Sequence, residues 1–235
     1  MKAFRTFILT LPLLAAGLVG LPAPVRADAC RSAPSPGIDW TDCDKKLLML
    51  GGSDLKAAHL AEADFTATDL ADSALDGADL EKARLIRASL AGATAKGARF
   101  ARVEAYRTNF RNMKAEDASF ESAELQRSDF HGAVLPNANF TKAELGRSQF
   151  DGAEIGGGRF ALANLARADF RGAKFSAPVD FDRAFLFLAR LEDLDLSAAT
   201  GLSQPQLDMA CGNDGTLLPP GLTKPKSWPC GFDQE

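Results

Sequence analysis

From Leu50 onward, every fifth residue is large and apolar. The series runs Leu50, Leu55, Leu60, Phe65 and on to Phe170 and Phe175, 26 consecutive positions of which only Ala95, Ala105 and Ala115 lack a large side chain. Two residues ahead of most stands a small residue, as at Ala58, Ala63, Ala78, Ala83 and Ala138. The other three positions of each five are polar or charged. A period of five fits neither an α-helix, at 3.6, nor a strand, at two. It fits a coil of four short sides, each turning one large and one small side chain inward.

The unit recurs as Ala63-Asp64-Phe65, Ala78-Asp79-Leu80, Ala138-Asn139-Phe140 and Ala168-Asp169-Phe170. In this it resembles the pentapeptide-repeat family, whose motif is A-(D/N)-(L/F)-x-x. The resemblance implies an all-β fold, a right-handed quadrilateral β-helix with twenty residues per coil. Residues twenty apart should then stack. Positions 100, 120, 140 and 160 are all Phe, as are 110, 130, 150 and 170, while 125, 145, 165 and 135, 155 are Leu or Ile. Columns ten residues apart lie on opposite sides, so Phe faces Phe across the axis. Val103 and Met113 stand where a small residue is expected beside Ala105 and Ala115, restoring volume as close packing demands. After Phe175 the beat resumes one residue late, at Val179-Asp180-Phe181, placing an extra residue near Ala177-Pro178.

Both ends depart from the repeat. Residues 1–27 read as an export leader: Lys2 and Arg5 precede an apolar stretch, and Val25-Arg26-Ala27 offers a cleavage site. The expected organisation is therefore leader 1–27, N-terminal cap 28–49, β-helix 50–198 and C-terminal cap 199–235 with a short helix N-capped by Ser203. The caps hold all four cysteines. An even number in an exported chain reads as two disulfides. Because the rod separates the caps and a bridge needs Cα atoms within about 7 Å, Cys30 pairs with Cys43 and Cys211 with Cys230. The expected location is periplasmic, with secretion or a thylakoid lumen as alternatives. No transmembrane anchor is expected once the leader is removed.

Removing the leader takes Lys2, Arg5 and Arg26 from 27 bases and leaves 31 acids untouched, a net charge of −7. This mild acidity argues against a nucleic-acid partner. The family resemblance also brings to mind members that mimic DNA and act on gyrase in the cytoplasm, but the leader, the cysteines and a basic band over 81–115 oppose that reading. No catalytic constellation, metal site, cofactor or small-molecule substrate is expected. His59 and His131 fall at separate outward positions without further ligands, and Ser73, Ser128 and Ser148 occupy the inward small position. One surface pattern stands out. Arg87, Arg107, Arg127, Arg147 and Arg167 recur every twenty residues and should form a column. They are either an anion-binding strip for an acidic partner or polyanion, or a duplicated surface feature neutralised by Glu104, Glu124, Glu144, Asp129 and Asp169. The expected function is a non-enzymatic, exported scaffold that presents its repeat surface to another protein, with polyanion binding through the Arg column as an alternative.

Overall fold

A computed structural model describes residues 29–231; the expected leader, residues 1–27, lies outside them. The chain winds as a right-handed quadrilateral β-helix. Each side is so short that it pairs through one parallel bridge per coil, as in Asp39↔His59, His59↔Asp79 and Asp79↔Arg99. The register is twenty residues through Glu154↔Lys174 and becomes 21 at Arg159↔Asp180, so the extra residue lies between them, beside Pro178. From 36 to 196 the chain has 161 residues; setting that one aside leaves 160, or eight coils of twenty.

The five-residue unit follows from where its backbone donors go. Around Leu60, the Leu60 N–H donates to Asp79 O (2.7 Å), Glu62 N–H to Glu81 O (2.9 Å) and His59 N–H back to Ile38 O (2.8 Å). The Ala63 N–H closes a turn onto Leu60 O (3.2 Å). That leaves the residue just after the central one, and the Asp or Asn of the motif supplies its acceptor. Asp64 Oδ1 takes the Thr66 N–H (3.0 Å), Asp79 Oδ1 the Glu81 N–H (3.1 Å) and Asn139 Oδ1 the Thr141 N–H (3.1 Å). The acidic or amide residue is thus an Asx-turn acceptor that completes the accounting of backbone donors. Each corner also needs a left-handed residue two after the centre. Gly52, Gly77 and Gly97 serve there, but so do Glu62 (φ 60°), Lys82 (φ 59°) and Arg87 (φ 58°), at a conformational cost of about 1–2 kcal/mol apiece.

The core is a stack of files. Phe110, Phe130, Phe150 and Phe170 lie face to face with centroids 4.7, 5.0 and 4.7 Å apart, and Phe100, Phe120, Phe140 and Phe160 at 4.8, 4.9 and 5.0 Å. Across the axis the two files meet edge to face, at 5.8 Å for Phe120–Phe130 and for Phe130–Phe140. Ala95, Ala105, Ala115, Val103 and Met113 are all fully buried in the same cluster. Each large inward side chain contributes roughly 1.5–3 kcal/mol of burial, against the ordering entropy of its five residues.

The coil begins earlier than the expected cap boundary. Residues 36–49 already carry its turns and bridges. Trp40 and Lys45 occupy inward central positions there, and Lys45 is only 4 % exposed. Its ammonium sits 3.5 Å over the Trp40 ring and donates to Cys30 O. Burial lowers the pKa of this amine. The cation and the indole together close the core where, among the described residues, no further coil covers it. Cys30 and Cys43 are bonded with Cα atoms 5.4 Å apart.

At the other end, helix α1 spans Gln204–Met209, with Ser203 at its N-cap and Pro205 in its first turn. Gln206 does the capping work that periodicity did not disclose. Its Oε1 accepts the Ser203 N–H (2.8 Å), and its Nε2 donates to Phe181 O and Ala184 O (2.9 Å each), tying the helix to the last coils. Leu207 and Ala210 are buried against them. Arg190 bridges Cys211 and Asp195 bridges Leu217, so part of the C-terminal segment continues the ladder. Cys211–Cys230, with Cα atoms 5.4 Å apart, closes the loop that follows. Trp228 packs over Gly212 and donates its Nε1–H to Ala210 O (2.7 Å).

Candidate functional site

The inward hydroxyls are occupied by structure. Ser128 donates to Ala105 O (2.6 Å), Thr108 to Leu85 O (2.6 Å) and Ser148 to Leu145 O (2.7 Å), all buried. Such serines satisfy turn carbonyls and present nothing to solvent. His59 bridges Asp39 and Asp79 on one side, whereas His131 sits on a different side with Nδ1 3.2 Å from Asp151. Among the described residues no group of three His, Cys, Asp or Glu converges as metal ligands would.

The five arginines do form one edge. Arg87, Arg107, Arg127, Arg147 and Arg167 all hold the left-handed corner position, with φ between 56° and 60°. Their amides bind successive coils, from Arg107 N–H to Gln126 O (3.1 Å) through Arg127 to Gly146 O and Arg147 to Ala166 O (2.9 Å each). Adjacent arginines are therefore one coil, about 4.8 Å, apart along the axis. Arg87, Arg107, Arg127 and Arg147 are exposed and Arg167 is half-buried. The Arg107 guanidinium lies 5.2 Å from the Tyr106 ring centroid.

The Arg–Glu and Arg–Asp pairs of the neutralised-surface alternative are not formed as contacts. None of the five forms an ion pair among the described residues. Four of the five flanking acids have other partners: Glu104 pairs with Arg84 (3.2 Å), Asp129 with Arg111 (2.9 Å) and Asp169 with Arg171, while Glu144 accepts from the neutral Asn164 amide (2.8 Å) and keeps its charge; Glu124 stands exposed between Glu104 and Glu144. These acids lie on the flat sides, where a neighbour on the same side reaches them before a corner residue does. Along the Arg edge, no guanidinium is held by a carboxylate among the described residues.

The C-terminal end of the edge is concave. Arg147, Arg167, Arg171, Arg190 and Asp169, with the Cys211–Cys230 disulfide, line a cavity of about 340 Å³. Arg171 forks onto Asp169, with Nε 2.9 Å from Oδ1. Burial raises the Asp169 carboxyl, but hydrogen bonds from Arg171 and the charges of Arg171 and Arg190 outweigh it and hold the pKa below the ordinary value. Arg190 Nε donates to Glu192 Oε1 (2.7 Å).

Stacked coils, paired capping disulfides and an outward-facing charged edge define a solenoid of the repeat-protein class. Pentapeptide repeats match residues 50–85, 83–121, 116–152 and 143–177, which together run from 50 to 177, or 128 of 235 residues. The chain belongs to the pentapeptide-repeat family. Among solved structures, a trypsin-treated form of QnrB1, a plasmid-mediated fluoroquinolone resistance protein, superposes with a TM-score of 0.51 at 16% identity, covering 78% of this chain and 90% of that one. HetL, a protein involved in heterocyst differentiation regulation in the cyanobacterium Nostoc sp. strain PCC 7120, is 23% identical, with a TM-score of 0.41 over 82% of this chain and 97% of HetL. A protein of the Arabidopsis thaliana thylakoid lumen is 26% identical, with a TM-score of 0.26 over 43% of this chain and 67% of its own. No curated protein matches the sequence.

Proposed function

We propose that this protein is a non-catalytic interaction module of an oxidising, extracytoplasmic compartment, and that it docks an acidic segment of a partner protein along the Arg edge. Two disulfides with no free cysteine among the described residues support the compartment. The absence of ion pairs along the Arg edge, among the described residues, carries the docking reading. Two like charges 5 Å apart repel by about 0.8 kcal/mol in bulk water, less in salt. A column of five carries at most that penalty at each step, with Arg107 over Tyr106 as a contact that offsets it within the fold, whereas an aligned chain of carboxylates reverses its sign. Buried hydroxyls and separated histidines support a role without chemistry.

Fluorescence anisotropy with labelled polyglutamate tests the docking. Binding should weaken steeply with added salt, and Arg107→Glu/Arg127→Glu should reduce affinity at least tenfold. Equal affinity of the variant and the wild type would remove the Arg edge from the account. Fractionation of a tagged chain tests the compartment: recovery with cytosolic markers and reduced cysteines would contradict it.

A further inference from the structure

The cavity at the end of the Arg edge differs from the edge itself in being concave, though open to solvent, and mixed in charge. Arg171 and Asp169 hold each other, and Arg190 is anchored to Glu192. Arg147 and Arg167, one coil apart, bring two guanidiniums with no ion-pair partner among the described residues into the same 340 Å³ cavity. Four arginines against Asp169 and the Glu192 that holds Arg190 leave a balance of +2, carried by Arg147 and Arg167. Guanidiniums present planar forks of donors that match two-oxygen faces, so Arg147 and Arg167 suit a group with several oxygens better than a point charge. The far wall is supplied by Cys211 and Cys230, residues 19 apart in sequence that are joined by their disulfide and by the packing of Trp228 on Gly212 and Ala210.

We propose that this cavity is a binding site for a small oxyanion group, a phosphate or a carboxylate, gripped by Arg147 and Arg167, oriented by Arg171 and Arg190, and closed by the disulfide-held loop. The group is either free in solution or the end of an acidic segment that lies on the edge; the latter case rests on the proposed docking. Asp169 excludes a second anion from the Arg171 side. Arg87 and Arg107 play no part in this site.

The test uses the oxidised full chain and two probes, inorganic phosphate and tetraglutamate, each titrated by calorimetry at low ionic strength. Losing two charge-assisted contacts should weaken binding roughly tenfold or more in Arg147→Gln/Arg167→Gln. Arg87→Gln/Arg107→Gln should leave phosphate binding unchanged. Cys211→Ser/Cys230→Ser, which frees the wall, should weaken it while the Phe files keep the coil folded by circular dichroism. Saturable phosphate binding with this variant pattern supports a free anion; tetraglutamate binding alone with the same pattern supports an acidic segment. No binding of either probe at millimolar concentration, or binding that survives Arg147→Gln/Arg167→Gln, overturns the site. The edge fails separately: polyglutamate affinity indifferent to Arg87→Gln/Arg107→Gln and Arg107→Glu/Arg127→Glu leaves the phosphate result standing.

Discussion

Phe130, like Phe120, Phe140 and Phe150, is held by two stacked and two edge-to-face rings, and its removal should show how the coils hold together. Its ring stacks on Phe110 at 4.7 Å and Phe150 at 5.0 Å, and meets Phe120 and Phe140 edge to face at 5.8 Å each. It is fully buried. Phe130→Ala removes the transfer energy of the ring and opens a cavity whose walls are four other rings, each fixed by its own file. Such sites collapse poorly, so the cost should lie near the upper end of the ~3–5 kcal/mol seen for Phe→Ala. Phe130→Leu keeps most of the volume and should cost about 1–2 kcal/mol, the part owed to shape and ring pairing. Equilibrium urea unfolding, followed by circular dichroism and tryptophan fluorescence, measures both. Trp40 and Trp228 report opposite ends of the rod, so separated transitions in Phe130→Ala would reveal the two halves uncoupling at the middle coil. A loss below about 1 kcal/mol for Phe130→Ala would refute close-packed files as the source of stability.

Other consequences are more local. Lys45 has a lowered pKa in the folded chain, so above that pKa the unfolded chain binds more protons and stability rises with pH toward the ordinary lysine range near 10.4; urea titrations from neutral pH to 10 should show this gain in the wild type and not in Lys45→Met. Gly97→Ala places a Cβ in open space at φ 63° and should cost no more than about 1–2 kcal/mol. Gly212→Ala instead drives a Cβ into the Trp228 ring, so it should shift Trp228 emission to the red and cost more than Gly97→Ala by thermal unfolding. Replacing Cys30 and Cys43 by Ala opens a loop of 13 residues and should cost about 3 kcal/mol, read as a lower urea midpoint.

Much of the architecture was legible because its period is short and its inward positions are chemically uniform. The Phe files were readable as columns twenty apart, and their meeting across the axis followed from columns ten apart, but its edge-to-face geometry did not. The first coil was hidden because Trp40 and Lys45 stand where Leu or Phe is expected; a buried lysine is readable only once its partners, Cys30 O and the Trp40 ring, are in place. The arginine column was visible as a recurrence, but its charge balance was not. Sequence places Glu104 and Asp129 near Arg107 and Arg127, whereas the coil hands them to Arg84 and Arg111 on their own sides. The cavity beside Arg167 was beyond reach, since one wall comes from the Pro- and Gly-rich loop folding back through Cys230.

Everything at the surface depends on residues twenty apart being neighbours. Asn109 and Asp129 bridge in parallel on successive coils, about 4.8 Å apart, within the range a disulfide spans. Asn109→Cys/Asp129→Cys should oxidise to one new crosslink on non-reducing peptide mapping, while Asn109→Cys/Ser119→Cys, half a coil apart on opposite sides, should not. Efficient crosslinking of the second pair, or none of the first, would contradict the coil that builds both the Arg edge and its terminal cavity.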